Sequence, residues 1–180
     1  MTKAHSDTEQ SSKQIDSKTP PYPYVISIPK LIIMSITTFG LYEVYWFYKQ
    51  FKSFKAEKEW KITPWLRALF ANLMSYSLFK KVSIAAEEFD KKRKLKAFGS
   101  SLLYFIINSL WKLPDPYWLL SLLSFIPLLV IQDNINFYWK KQYGNKIIQS
   151  KFGRSNYIWA IIGGLIVLLA IWGTFLPQED

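Results

Sequence analysis

The chain has 180 residues, a net charge of +10 and no cysteine, and half of it is hydrophobic, with 18% aromatic residues. That length suits one domain or one compact helical bundle, and the missing cysteine excludes a disulfide framework, a thiolate nucleophile and a cysteine metal site. Charged and apolar residues alternate in blocks, a membrane pattern, where a soluble domain mixes them at periods of two or about 3.6.

Residues 1–24, "MTKAHSDTEQSSKQIDSKTPPYPY", are polar with balanced charge. They are expected to form a disordered tail that closes in a short extended proline segment. The basic start is not followed by an apolar core, so no signal peptide is expected in this segment.

Charges then fence a series of apolar runs. Lys30 and Lys49 enclose 18 residues whose only charge is Glu43, and Lys61 and Lys80 enclose 18 whose only charge is Arg67. Lys96 and Lys112 enclose 15 uncharged residues; Lys112 and Asp133 enclose 20 whose only charge is Asp115. After Arg154 an uncharged run, "YIWAIIGGLIVLLAIWGTFL" at its centre, extends to Gln178. Eighteen helical residues span roughly 27 Å, near the thickness of a hydrocarbon core. The pattern therefore predicts an all-α, polytopic membrane bundle over residues 25–178, with five membrane helices at about 31–49, 62–90, 97–112, 116–139 and 156–176 joined by short loops. Gly163 and Gly164 in the last helix permit close helix approach.

Flank charge orients such a bundle, because lysine and arginine stay in the cytoplasm. The segment Lys80–Lys96 holds seven basic and three acidic residues, and Asp133–Arg154 holds five and one. With five spans these loops share the cytoplasmic side with the N-terminus, and the C-terminus lies outside. One basic loop, Lys49–Lys61, with five basic and two acidic residues, is then stranded outside. An alternative lays residues 62–79 flat in the interface, which brings all three loops inside but sends the tail across. Tryptophan favours five spans: Trp46, Trp60, Trp65, Trp111, Trp118 and Trp172 would then all lie near the outer boundary, where such rings collect.

Glu43 lies six residues before Lys49, and Arg67 six residues after Lys61. In a two-helix hairpin both side chains would sit about 9 Å below one boundary. An ionisable group at that depth usually pairs, faces the bundle interior or marks a path. The expectation is a Glu43–Arg67 pair that sets helix register; snorkelling of both groups, or a proton or substrate role, are the alternatives. Asn72 and Asn108 are candidate interhelical polar groups. Lys91, Lys92, Arg93, Lys94, Lys140 and Lys141 are candidate contacts for anionic phospholipid headgroups. Gln132, Asp133, Asn134 and Asn136 read as the point where the fourth helix ends in water.

Catalysis finds no support. His5, the only histidine, lies in the tail, and no nucleophile elbow, phosphate loop or metal spacing is present. No cofactor is expected. Nucleic-acid binding is disfavoured, since no RNA-binding sheet motif or zinc spacing accompanies the basic runs.

"TTFGLYEVYWFYKQFK" resembles the T-[LF]-G-[IL]-Y-x-x-Y-W-[FY]-Y-[KR] signature of a family of uncharacterised bacterial inner-membrane proteins. "PWLRALFANLMSYSLFKKV" and "LPDPYWLLSLLSFIPLLVIQ" resemble the later segments of its longer members, so the resemblance covers roughly residues 30–175. It implies a small multi-helix protein of the bacterial inner membrane and brings no substrate, cofactor or catalytic residue. The function expected is that of a non-enzymatic structural or partner-binding membrane protein, in contact with lipid, a membrane-protein partner or a second copy. The alternative is a small transporter or channel component using the Glu43–Arg67 layer.

Overall fold

The structure is a computed structural model that describes residues 23–144, 150 and 152–174. Nearly all of the expected tail, and the chain beyond Thr174, lie outside the described residues. The described chain is helical throughout its regular elements: α1 (Ile28–Thr37), α2 (Leu41–Glu57), α3 (Pro64–Leu69), α4 (Ala71–Glu87), α5 (Ala97–Ser109), α6 (Phe125–Tyr143) and α7 (Arg154–Thr174), with 3₁₀ turns at Lys91–Arg93, Leu110–Lys112 and Tyr117–Ser124.

The helix expected over 31–49 is two helices. Phe39 and Gly40 both have left-handed backbones, with φ of 50° and 80°, a conformation that stops a helix and suits glycine. Gly40 N–H donates to the Ser35 carbonyl at 2.9 Å, which closes α1. The Thr38 hydroxyl donates to the Met34 carbonyl and accepts from the Tyr42 N–H, so one side chain serves both the end of α1 and the free donors at the start of α2. The chain folds back on itself here. Tyr24, ahead of α1, bonds Tyr42 through their hydroxyls at 2.9 Å and accepts from Gln50 through its carbonyl at 3.1 Å. "TTFGLY" is thus the turn of a helical hairpin, not the middle of a span.

The helix expected over 62–90 is also broken, at Phe70 (φ −97°, ψ 36°). Pro64 starts α3 in the first turn, where its missing N–H costs nothing. The segment before the break doubles back along α4: Arg67 reaches Ser77, and Trp60 lies under Lys81. The third hairpin runs from α5 through the 3₁₀ turns into α6, and α7 closes the fold against α1.

The hairpins fix two ends of the molecule. At one end Lys58 pairs with Glu88 at 3.2 Å and Arg93 with Asp133 at 2.6 Å. Tyr143 donates to Glu57, Ser150 N–H to the Val25 carbonyl, and Lys30 to Ser150. At the other end Phe39 stacks on Trp118 and Ser124 meets Glu43. The described parts of all three basic loops therefore gather at one end, together with the start of α1. The five-helix arrangement put Lys49–Lys61 at the opposite end because it took 31–49 as one crossing.

The core is aromatic and centred on α2. Phe47 packs on Phe51, Phe79 and Tyr104, and Phe54 packs on Tyr138 and Trp139. Trp46 is fully buried and so is no boundary anchor, contrary to the tryptophan argument; Trp65, Trp111, Trp159 and Trp172 are exposed. Outside the core lies a broad apolar surface made by α4, α5, the long 3₁₀ segment and α7. Among the described residues two helices are long and apolar enough to cross a membrane: the continuous stretch Tyr117–Tyr143 and α7. Gly163 faces the α1 backbone; a Cβ there would lie 1.9 Å from the Thr37 carbonyl oxygen.

Candidate functional site at the buried Glu43

Glu43 sits in the first turn of α2, three residues beyond the Gly40 turn, and is 1% exposed. An acid there meets the positive end of the helix dipole. The Ser124 hydroxyl donates to Oε1 at 2.7 Å. The Ser35 and Tyr104 hydroxyls also face the carboxyl group. Oε2 and the Ser35 Oγ, both buried, each lack a hydrogen-bond partner. One carboxyl group thus stands where α1, α2, α5 and the Tyr117–Ser124 segment meet. Among the described residues the ion pairs are Lys58–Glu88 and Arg93–Asp133, and Glu43 takes part in neither.

Arg67 is not the partner that the sequence led us to expect. Its guanidinium donates to the Ser77 hydroxyl at 3.1 Å and lies over the Trp60 ring at 5.0 Å. Equal spacing from a shared loop fixes depth but not the face of the helix. Glu43 faces α5 and the 3₁₀ segment, whereas Arg67 works within the α3–α4 hairpin. Asn72 is exposed beside the Phe70 break and bridges no helices. Asn108 donates to the Tyr104 carbonyl of its own helix, a local bond and not an interhelical one.

A second buried polar chain was not expected. Trp46 Nε1 and Gln50 Nε2 both donate to the Gln132 Oε1, at 2.5 and 3.3 Å. Gln132 donates to Asn136 at 2.6 Å, and Asn136 to the Ile26 carbonyl at 2.8 Å. These bonds tie α2, α6 and the segment before α1 together. Gln132 and Asn134 are buried, so this cluster does not end a helix in water; α6 continues to Tyr143. Burial, with Tyr42 and Tyr45 beside it, pushes the Tyr24 phenol up, which keeps it protonated next to Tyr42. The signal for this network lay in the i, i+4 pairs Trp46/Gln50 and Gln132/Asn136, which put two polar groups on one helix face.

The expected lipid contacts divide. Lys91, Lys92, Lys94, Lys140 and Lys141 are exposed. Arg93 is not free for a headgroup: it holds Asp133 and lies over the Phe137 ring at 4.2 Å. Its planar fork suits that double contact, and it pins the loop before α5 to α6.

Comparison with known proteins returns nothing: no family model, no curated protein and no solved structure matches the chain.

Proposed function

We propose that the chain is a multi-pass integral membrane protein without enzymatic activity, acting through helix packing or the binding of a membrane-protein partner or a second copy. The observation that carries this reading is the gathering of the basic loops at one end of a bundle whose sides are apolar. Retained in the cytoplasm, that end satisfies the charge rule with no loop stranded. α1 is about 15 Å long, half of a hydrocarbon core. In this reading α1–α2 and α3–α4 enter from the cytoplasmic side and return, α5 and Tyr117–Tyr143 cross and return, and α7 crosses once. The N-terminus is then cytoplasmic and the C-terminus outside. The resemblance of "TTFGLYEVYWFYKQFK" supports the inner membrane of a bacterium as the location. A non-enzymatic role is supported by the use of Gln50, Gln132 and Asn136 to join helices.

Cysteine accessibility tests the topology, since the chain has no cysteine of its own. Single cysteines at Ser11, Ala56 and Gln178 are treated with an impermeant thiol reagent on intact cells. Labelling at 178 alone is expected; Ala56 is exposed, so its protection would report sidedness and not burial. Labelling at 56 together with 178 would restore five crossings and remove the re-entrant hairpins.

One observation favours a second reading, a small transporter or channel component: the buried Glu43 Oε2 and Ser35 Oγ have no partner. Arg67 has no part in it. Liposomes should then show a proton-dependent flux that Glu43→Gln abolishes, and no flux in either protein rules this reading out.

A further inference from the structure

A crevice of about 600 Å³ runs between α4 and the start of α5. Its rim carries Lys80, Lys94 and Lys96, all exposed, against one acid, Glu87. None of the three lysines belongs to an ion pair among the described residues. We propose that this crevice seats the phosphate of one anionic glycerophospholipid, with the acyl chains running down the outside of α4 and α5. The proposal rests on the membrane reading above and adds a defined site to it.

The rim is held in place. Leu95 N–H donates to the Ser83 hydroxyl at 3.0 Å, and that hydroxyl donates to Glu87 Oε1 at 2.9 Å. The two bonds clamp the segment 94–96 to α4. Leu95 is half-buried, while Lys94 and Lys96 are exposed and both line the crevice. Glu87 is partly occupied by its serine, and the rim keeps a net positive charge. The first turn of α5, whose N–H groups have no helical partner, lines the same crevice.

The floor decides between a lipid and a soluble anion. Tyr76 and Phe98 meet edge to face at 6.3 Å and close the crevice. Phe98 is 69% exposed, and Leu73 and Leu102 continue the exposed apolar surface on the same two helices. A lysine rim above an apolar floor matches a headgroup above its acyl chains. A nucleotide or an acidic peptide would leave that floor against water.

Native mass spectrometry of the full chain, released from nanodiscs of mixed phosphatidylglycerol and phosphatidylcholine, tests the site. One phosphatidylglycerol per chain is expected to survive activation that strips phosphatidylcholine. The combined Lys80→Gln, Lys94→Gln and Lys96→Gln variant should bind it at least about tenfold more weakly, each near-surface charge contributing to headgroup attraction. A comparator with Lys91→Gln, Lys140→Gln and Lys141→Gln loses the same charge from the same end and should keep the lipid. Equal loss in both variants would mean diffuse surface attraction and overturn the proposal. So would equal retention of phosphatidylcholine, or displacement of the lipid by inorganic phosphate. Alkaline carbonate extraction separates the two levels. A chain that stays with the membrane yet retains no acidic lipid loses only this site, whereas a chain washed into solution loses the membrane reading as well.

Discussion

Helices α2 and α7 both look like membrane segments in the sequence, yet they meet different surroundings. α2 has 17 residues and buries eight of them; α7 has 21 and buries one, Val167. α2 packs its aromatic rings on Phe79 of α4, Tyr104 of α5 and Tyr138 and Trp139 of α6, and closes Trp46 and Gln50 on Gln132 of α6. α7 packs on α1 and offers Leu165, Leu168, Leu169 and Trp172 to its surroundings. An apolar helix can therefore be apolar for two reasons: to fill a protein core or to face lipid. A helix that is hydrophobic all round and almost unburied within its own chain suits a cover from outside that chain, of lipid or of protein. A helix that mixes Glu43, Gln50 and Ser53 with Trp46, Phe47 and Phe51 needs protein partners for both kinds of side chain.

The sharpest way to break this comparison is to truncate one side chain on each helix. Phe47 is fully buried between Phe51, Phe79 and Tyr104. Phe47→Ala should cost about 3–5 kcal/mol, since the ring leaves a cavity between α2, α4 and α5. Leu168→Ala, on the exposed face of α7, should stay within about 0.5 kcal/mol. Thermal unfolding in detergent reads both. A large loss at Leu168 would show that α7 has a protein partner along that face, which would point to a second copy or another membrane protein.

A smaller effect tests how α7 is attached at all. Gly163 and Gly164 are adjacent, but a Cβ at 163 would meet the Thr37 carbonyl oxygen at 1.9 Å, while at 164 it would meet the Thr37 Cγ2 at 3.8 Å. The first clash is with backbone, so α1 and α7 must separate; the second is ordinary contact. Gly163→Ala should cost about 1–3 kcal/mol by overpacking. Gly164→Ala should be neutral or slightly stabilising, because alanine is the better helix former. Equal effects would mean that α7 is rotated about its axis relative to this arrangement.

The same contrast explains what could be read from the residues. The helical class and α7 were legible, because a long uncharged apolar run without strand alternation is readable as a helix. The close approach at Gly163 was legible as well, because small residues in a membrane helix usually mark packing. The turn at Phe39–Gly40 was not. Its signal was present, a glycine two residues after a threonine, but glycine is common inside membrane helices, and the apolar run on both sides argued for continuity. The break at Phe70 carries no glycine or proline at all; α3 lies along α2, and Arg67 reaches across the break to Ser77 of α4. Once the first run was taken as one crossing, Lys49–Lys61 fell on the wrong end and Trp46 became an anchor. The site was half legible. Glu43 stood out as an acid in an apolar run, but its partners Ser35, Tyr104 and Ser124 are ordinary residues on three other elements, and no spacing links them.

The smallest effect concerns that carboxyl group, and it separates the hairpin from the crossing. If residues 31–49 crossed the membrane beside 62–79, Glu43 and Arg67 could pair, and the two substitutions would be coupled. In the hairpin they have separate partners, Ser124 at 2.7 Å and Ser77 at 3.1 Å. Glu43→Gln and Arg67→Gln should therefore be additive within about 0.5 kcal/mol, as for residues with no shared partner. Glu43→Gln and Ser124→Ala should instead show a coupling of order 1 kcal/mol, the scale of polar contacts between membrane helices. Ser124→Ala alone leaves Oε1 buried without its donor, so it should be the more damaging single change of that pair. A cycle in which Glu43 couples to Arg67 and not to Ser124 would undo the hairpin, and with it the placement of all three basic loops at one end.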